Sequence, residues 1–146
     1  MYNQTLDGYT NFYVEAGGDI QTHGVNSEGK PWRVGIRNPF NTKEVVKVLS
    51  ASGEGVATSG TYLRGKHIYD PHEKKPVEGD VLSLTVVADD VYEADRYATA
   101  AFAMGKKGVD FIERLSGCEG YFINNKGIAT MTSGFARFIN SEHEYA

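Results

Sequence analysis

The sequence predicts an α+β fold in which a mainly antiparallel sheet carries a packed pair of helices. Two observations support this prediction. Up to Ala88, short segments rich in β-branched and aromatic residues are separated by glycine-containing turns, which is typical of antiparallel strands. Beyond Asp90 the apolar spacing changes to that of helices, and a glycine follows each helical segment.

The strands are predicted in order along the first part of the chain. The first ends at the Gly17-Gly18 turn, and Gly60 separates the fourth from the fifth. The last of the series is the most apolar and is therefore expected at the centre of the sheet. The predicted strands cover residues 11–15, 32–36, 44–51, 55–59, 61–69 and 81–88.

Two helices and a hairpin complete the prediction. Asp89 or Asp90 can cap a helix over residues 91–104, which is rich in alanine and is closed by Gly105. A second helix is expected over residues 108–115, before Gly117. Residues 120–124 and 127–132 are interpreted as a hairpin, and residues 140–146 as a frayed polar end.

Bulk composition narrows the class of protein. A length of 146 residues suits one domain, here residues 1–146, and Cys118 as the single cysteine excludes an intrachain disulfide. The net charge of -4 argues against nucleic acid as a partner. No apolar run is long enough to span a membrane, and no targeting signal follows Met1, so the compartment stays open.

Asp95 and Thr99 form the first candidate site. They lie four residues apart, and therefore on the same face of the predicted helix. A carboxylate beside a hydroxyl suits an oxygen-preferring cation such as Mg²⁺. In the alternative, Thr99 bonds the carbonyl of Asp95 while Asp95 only complements the helix dipole, and the spacing by itself favours this alternative.

Three further positions have both a functional and an ordinary interpretation. Gly17 and Gly18 allow close backbone approach to a ligand, with Asp19 as an acceptor for ribose hydroxyls or an amine, but they also suit a plain hairpin. Ser59 beside Gly60 could present a hydroxyl and an amide to a phosphate, or mark a kinked strand pair. His67 could contact a pyrophosphate or take a proton, or be a solvated histidine.

The order of these segments resembles the ApbE family of FAD:protein FMN transferases over residues 11–139. The resemblance is carried by Ala-Gly-Gly-Asp-Ile at residues 16–20, Pro-Trp-Arg-Val-Gly-Ile at 31–36, Ala-Thr-Ser-Gly at 57–60, His-Ile-x-Asp-Pro at 67–71, Leu-Ser-Leu-Thr-Val-Val-Ala at 82–88, Glu-Ala-Asp-x-x-Ala-Thr-Ala at 93–100, Ala-Met-Gly at 103–105 and Thr-Ser-Gly-Phe at 132–135. It implies a T-fold-related α+β domain equivalent to the C-terminal half of such a transferase.

The resemblance also implies roles for these residues. Mg²⁺ would be held by the carbonyl of Ala16, the carboxylate of Asp95 and the hydroxyl of Thr99. Asp19 would lie near the FAD nucleotide with Gly17 and Gly18, and Ser59 near the flavin or a phosphate. His67 would bind or transfer a proton, so that His67 and Asp95 are the expected catalytic residues. FMN would pass from FAD to a Ser/Thr hydroxyl of an acceptor protein.

The sequence departs from the family pattern in two ways, and these departures leave alternatives to FMN transfer open. The family continues Asp-Pro-x-Thr-Gly, whereas Glu73 and Lys74 replace the Thr-Gly pair here. Family members are usually more than twice this length and are often exported or membrane-anchored. A missing N-terminal half, or a second chain, is therefore expected to complete the flavin pocket. The alternatives to transfer are hydrolysis of FAD to FMN and AMP, and a non-catalytic module that binds FAD and metal.

Overall fold

The computed structural model describes residues 8–60 and 81–139. Within them the chain forms eight β-strands, two α-helices and one 3₁₀ turn, which confirms the predicted α+β class. In chain order these are β1 (Phe12–Ala16), β2 (Asp19–His23), β3 (Trp32–Asn38), β4 (Asn41–Ala51), β5 (Gly55–Gly60), β6 (Val81–Ala88), α1 (Val91–Ala103), α2 (Lys107–Arg114), β7 (Glu119–Asn124), β8 (Ala129–Met131) and the 3₁₀ turn (Phe135–Phe138).

Six strands form one antiparallel sheet in the order β1-β2-β5-β6-β7-β8. Strand β6 lies inside this sheet between β5 and β7, as its apolar sequence predicted, and every residue from Leu82 to Ala88 is buried. Burial on both faces explains why β6 has almost no polar alternation, because neither face meets water.

The two helices cover one face of the six-stranded sheet. Ala94, Ala98 and Ala101 of α1 are fully buried, and they pack with Leu84 and Val86 of β6. Small side chains allow close approach of helix and strand. At Gly55 a β-carbon would overlap the backbone of Val91, so only glycine permits this contact.

The other face of the sheet packs against a separate two-stranded sheet made of β3 and β4. Val34, Ile36 and Leu49 point into this second core, where they meet Val87 of β6 and the fully buried ring of Phe135. The register of the β3–β4 pair shifts after Ile36 and again after Arg37, so the regular pairing is interrupted near the turn of the hairpin. The described part of the chain therefore forms two cores, one on each side of the six-stranded sheet.

Helix α1 starts at the predicted residue and ends one residue earlier, and both ends of α2 lie one residue earlier than predicted, a difference within the usual uncertainty of helix ends. Strand β2 was not among the predicted strands. Its buried residues Gln21 and Thr22 are polar, so the strand lacks the apolar pattern on which the prediction depends. The 3₁₀ turn was not predicted either. The predicted strand 61–69 and the polar end at 140–146 lie outside the described residues.

Within the described ranges, neither helix has the length and apolar character needed to cross a membrane.

Candidate functional site

Two carboxylates meet where strand β2 passes under helix α1. Asp19 is the first residue of β2, and Asp95 lies in the second turn of α1. Their carboxyl groups are within hydrogen-bonding reach of each other, and the backbone amide of Thr58 in β5 donates to Asp19. Three elements that are distant in sequence therefore converge on one acidic position.

Gln21 fixes the relative position of β2 and α1. Its side-chain oxygen accepts a 2.8 Å hydrogen bond from the amide of Val91, at the start of the helix. Its side-chain nitrogen donates to the carbonyls of Thr22 and Gly53. Because side chains alternate along a strand, Asp19 and Gln21 point to the same face of β2, towards α1. The hydrogen bond between Gln21 and Val91 therefore helps to keep helix α1 in position over Asp19.

The other predicted metal ligands lie around this pair. Thr99 is one helical turn beyond Asp95 on α1, and both side chains are exposed to solvent. Ala16 is paired with Asp19 across the β1–β2 hairpin, so it lies on the opposite side of the intervening turn. Gly17 and Gly18 form that turn with positive φ angles of 63° and 94°, which glycine adopts without strain.

Ser59 lies near the same position. It follows Thr58 in β5 and shares the strand face of Ala57, which packs against the helices. Gly17, Gly18, Asp19 and Ser59, which the sequence proposes as nucleotide contacts, thus gather at one end of the sheet with Asp95.

The electrostatic environment is unfavourable to two negative charges. The pKa of Asp19 is raised above its usual value of 3.8, first by burial and then by the negative charge of Asp95. The hydrogen bond from Thr58 opposes this shift in part. Among residues 8–60 and 81–139, no three His, Cys, Asp or Glu side chains cluster as a metal site.

The donor set nevertheless fits a hard cation. Carboxylate, hydroxyl and backbone carbonyl oxygens are the ligands that Mg²⁺ takes in proteins, usually together with water and substrate phosphates. A site that offers one or two carboxylates, and leaves the remaining coordination positions to water or phosphate, suits Mg²⁺. A cation here would also relieve the repulsion between Asp19 and Asp95.

A cleft lies on the opposite face of β2 from the two carboxylates. We call it the hairpin cleft, because it is bounded by the β1–β2 and β3–β4 hairpins and has a cavity volume of about 370 Å³. Tyr13, Ile20, Trp32, Val45 and Thr58 are among its lining residues. Gly17 and Gly18 line it as well, so the cleft reaches the turn that precedes Asp19.

Some features were not predicted from the sequence. The contact between Asp19 and Asp95, the helix-anchoring role of Gln21 and the hairpin cleft all depend on strand order and have no local signature. His67 lies outside the described residues. Cys118 is buried, and burial together with nearby carboxylates raises the pKa of its thiol to about 11, so it is not a candidate nucleophile.

Known proteins of similar sequence contain the segments that form this site. Residues 4–122 match the ApbE family. The FAD:protein FMN transferase of Escherichia coli K12 is 33% identical across 93% of this chain, which covers 42% of that protein. The FAD:protein FMN transferase of Haemophilus influenzae is 35% identical across 71% of this chain, which covers 33% of that protein.

Solved structures give the same result. The flavin transferase ApbE from Vibrio cholerae superposes with a TM-score of 0.70 and 31% identity, over 94% of this chain and 47% of that one. The ApbE protein from Thermotoga maritima superposes with a TM-score of 0.69 and 31% identity, over 89% and 45%. The chain thus spans less than half the length of these relatives. The sequence match and the shared fold together show that this chain belongs to the ApbE family.

Proposed function

We propose that this chain carries a cation and nucleotide site of an enzyme that transfers FMN from FAD to a Ser/Thr hydroxyl of an acceptor protein, in a Mg²⁺-dependent reaction that releases AMP. The observation that carries the proposal is the convergence of Asp19 and Asp95 in a chain whose relatives are FAD:protein FMN transferases. The carbonyl of Ala16, the carboxylate of Asp95 and the hydroxyl of Thr99 are the proposed metal ligands.

The proposed reaction is a single displacement at phosphorus. The acceptor hydroxyl oxygen forms a bond to the phosphorus on the FMN side of the pyrophosphate, and the bond from that phosphorus to the bridging oxygen breaks. AMP leaves with the bridging oxygen and the bonding electron pair, and the hydroxyl proton passes to a base, proposed to be His67. Mg²⁺ held by the carbonyl of Ala16, the carboxylate of Asp95 and the hydroxyl of Thr99 would neutralise the charge that builds on the leaving AMP.

The protein residues position the donor in this scheme. The Gly17-Gly18 turn has no side chains to block a phosphate or ribose, and Ser59 offers a hydroxyl on the neighbouring strand. Asp19 is proposed to accept a hydrogen bond from the nucleotide, as the family resemblance implies. Its contact with Asp95 supports this proposal, because a nucleotide bound there would lie beside the proposed cation.

Hydrolysis of FAD to FMN and AMP is the second candidate activity. The observation that favours it is the exposure of Asp95 and Thr99, because water can then reach the same phosphorus as an acceptor hydroxyl. A non-catalytic module would bind FAD with Mg²⁺ and release no AMP. Since the relatives are longer, a further polypeptide segment, on this or a second chain, is proposed to complete the flavin pocket.

The first test combines binding and turnover. The chain is titrated with FAD by calorimetry in Mg²⁺ and then in EDTA, and AMP release and acceptor fluorescence are measured after incubation with a Ser/Thr-containing acceptor protein. We expect Mg²⁺-dependent binding, AMP and a fluorescent acceptor band. AMP without labelled acceptor would instead indicate hydrolysis, and binding without AMP a non-catalytic module.

Asp95→Asn tests the site itself. Replacing a metal-binding carboxylate by an amide is expected to lower Mg²⁺-dependent FAD affinity or AMP release by about a hundredfold, because the charge that holds the cation is lost. Asp110→Asn, at an exposed position on α2, is the matched control and should behave as the unmodified chain. Equal activity of the two variants would refute the metal role of Asp95.

A further inference from the structure

One face of helix α1 presents four neighbouring exposed side chains, those of Tyr92, Asp95, Arg96 and Thr99. Each is three residues from one of the others and four from another, so the four lie beside one another on the helix surface. Asp95 and Thr99 are proposed metal ligands. Tyr92 and Arg96 therefore border that site on its solvent side, and we call these two residues the α1 patch.

Aromatic rings hold the guanidinium of Arg96 in place. Its central carbon lies 4.7 Å from the ring centre of Tyr97 and 5.7 Å from that of Tyr92. The ring of Tyr97 meets Phe111 of α2 edge to face, with centroids 6.1 Å apart. Cation–π attraction at these distances restrains the long side chain, so a partner that binds it loses less conformational entropy.

The charge of Arg96 is not neutralised by the described part of the chain. Among residues 8–60 and 81–139, Arg96 forms no ion pair, and its protein acceptor there is the hydroxyl of Tyr97 at 3.4 Å. A guanidinium has five N–H donors and no acceptor. Its planar fork matches a carboxylate, which can accept two parallel hydrogen bonds from it.

The shape and composition of the α1 patch suit a polypeptide partner. The side chain of Tyr92 is 65% exposed, although its ring is large and amphipathic. Tyrosine and arginine are enriched among the residues that dominate binding at protein interfaces. The surface of a single helix is convex, so it does not enclose a small molecule, whereas an extended segment of another protein can lie across it.

From this arrangement we infer that the α1 patch docks the acceptor protein, and that Arg96 selects a segment with a carboxylate near its Ser/Thr hydroxyl. The inference rests on the proposed function for the identity of the partner. A hydroxyl that attacks phosphorus beside a cation at Asp95 and Thr99 has to approach this part of α1. A carboxylate of the same segment then pairs with Arg96, while the segment packs on the ring of Tyr92.

The test measures peptide binding separately from turnover. Two fluorescent peptides are titrated with the chain by anisotropy, one with glutamates flanking its single threonine and one with glutamines in their place. Arg96→Gln removes the charge and keeps most of the length, and Arg114→Gln makes the same change at an exposed position on α2. Tyr92→Ala is compared with Tyr9→Ala, where the tyrosine is 69% exposed. Thermal melts establish that all four variants are folded.

We expect the glutamate peptide to bind about tenfold more tightly than the glutamine peptide, and added salt to reduce this preference. Arg96→Gln should abolish the preference, and Tyr92→Ala should weaken binding of both peptides about fivefold or more. The two control variants should stay within about twofold of the unmodified chain. Arg96→Glu should reverse the preference, so that a lysine-flanked peptide binds more tightly than the glutamate peptide.

Equal binding of the two peptides, no binding of either up to about 1 mM, or a preference that survives Arg96→Gln would overturn the inference. Self-association that Arg96→Glu abolishes, without peptide binding, would assign the patch to a second copy of this chain. Loss of FAD binding alone in Arg96→Gln would assign the guanidinium to the nucleotide, and both results reject acceptor docking. AMP release from FAD by the unmodified chain could persist in all these cases, so the proposed function would still stand. Selective peptide binding without AMP release would reject the activity and keep the docking surface.

Discussion

At the scale of single residues, the contact between Asp19 and Asp95 is expected to lower the stability of the folded chain. Two carboxylates in contact repel one another when both are charged, and Asp19 is also partly buried. Such a pair reduces stability unless a cation or a proton lies between the two groups. Arrangements of this kind are common at functional sites, where local stability is given up for binding.

The raised pKa of Asp19 predicts a pH dependence of stability. A carboxyl whose pKa is higher in the folded than in the unfolded state stabilises the fold fully only below the unfolded value, here 3.8. That contribution is lost as the pH rises through the folded pKa. In EDTA, Asp95→Asn removes the neighbouring charge and should therefore raise the melting temperature, increasingly so from about pH 4 to about pH 7.

Thermal melts of the unmodified chain and of Asp95→Asn over this pH range check the prediction. Asp110→Asn, which lies away from Asp19, should show no such pH-dependent gain. Addition of Mg²⁺ should then stabilise the unmodified chain and leave Asp95→Asn unchanged, which reverses their order. A lower melting temperature for Asp95→Asn in EDTA at neutral pH would contradict the repulsion between the two carboxylates.

At the scale of elements, the alignment of β2 with α1 depends on hydrogen bonds from one buried side chain. Gln21 is 4% exposed, and it bonds the amide of Val91 and the carbonyls of Thr22 and Gly53. The helix has its own cap, since the side chain of Asp90 accepts from the amide of Glu93 at 2.9 Å. Capping starts the helix, while Gln21 attaches it to the sheet.

Gln21→Ala should therefore affect the site more than the helix. Loss of its hydrogen bonds leaves the buried amide of Val91 without this partner, at a cost of about 1–3 kcal/mol in the free energy of unfolding. Because the helix is then free to shift over β2, Mg²⁺-dependent FAD binding should weaken although no proposed ligand has changed. Denaturant titration and calorimetry measure the two effects.

Asp90→Ala provides the comparison, because it removes the helix cap and leaves the anchor intact. It should cost about 1 kcal/mol and have a smaller effect on FAD binding. If both substitutions reduce binding in proportion to their loss of stability, Gln21 has only a structural role.

At the scale of the whole molecule, β1 and β8 are the outermost strands of the six-stranded sheet among residues 8–60 and 81–139. All three residues of β8 are exposed, and the large side chains of Ile128 and Met131 near this edge are 56% and 42% exposed. An exposed apolar edge is a template for pairing with another strand. Pairing of this edge with a second polypeptide is therefore a prediction.

We expect the chain to self-associate through β8 as its concentration rises. Met131→Lys places a charge at this edge and should shift the population towards the monomer in sedimentation or light-scattering experiments. Met104→Lys, at the end of α1 with 43% exposure, makes the same chemical change away from the sheet edges and should have no effect. A monodisperse monomer at high concentration would refute the edge prediction.

The features that could be predicted from the residues are local ones. Strand and helix periods, the Gly17-Gly18 turn and the spacing of Asp95 and Thr99 depend on residues within a few positions of each other, so they could be predicted with small errors at the ends. Strand β2 was missed because its buried Gln21 and Thr22 satisfy their polar groups through hydrogen bonds that only the folded chain provides.

Which of these local features meet depends on the packing of the whole chain. The strand order places β2 beside β5, and α1 packs across both, so that Asp19, Thr58 and Asp95 come together from distant parts of the sequence. The hairpin cleft likewise exists because two hairpins lie next to one another on the opposite face of the sheet. Such contacts depend on long-range packing, for which no local residue pattern is sufficient.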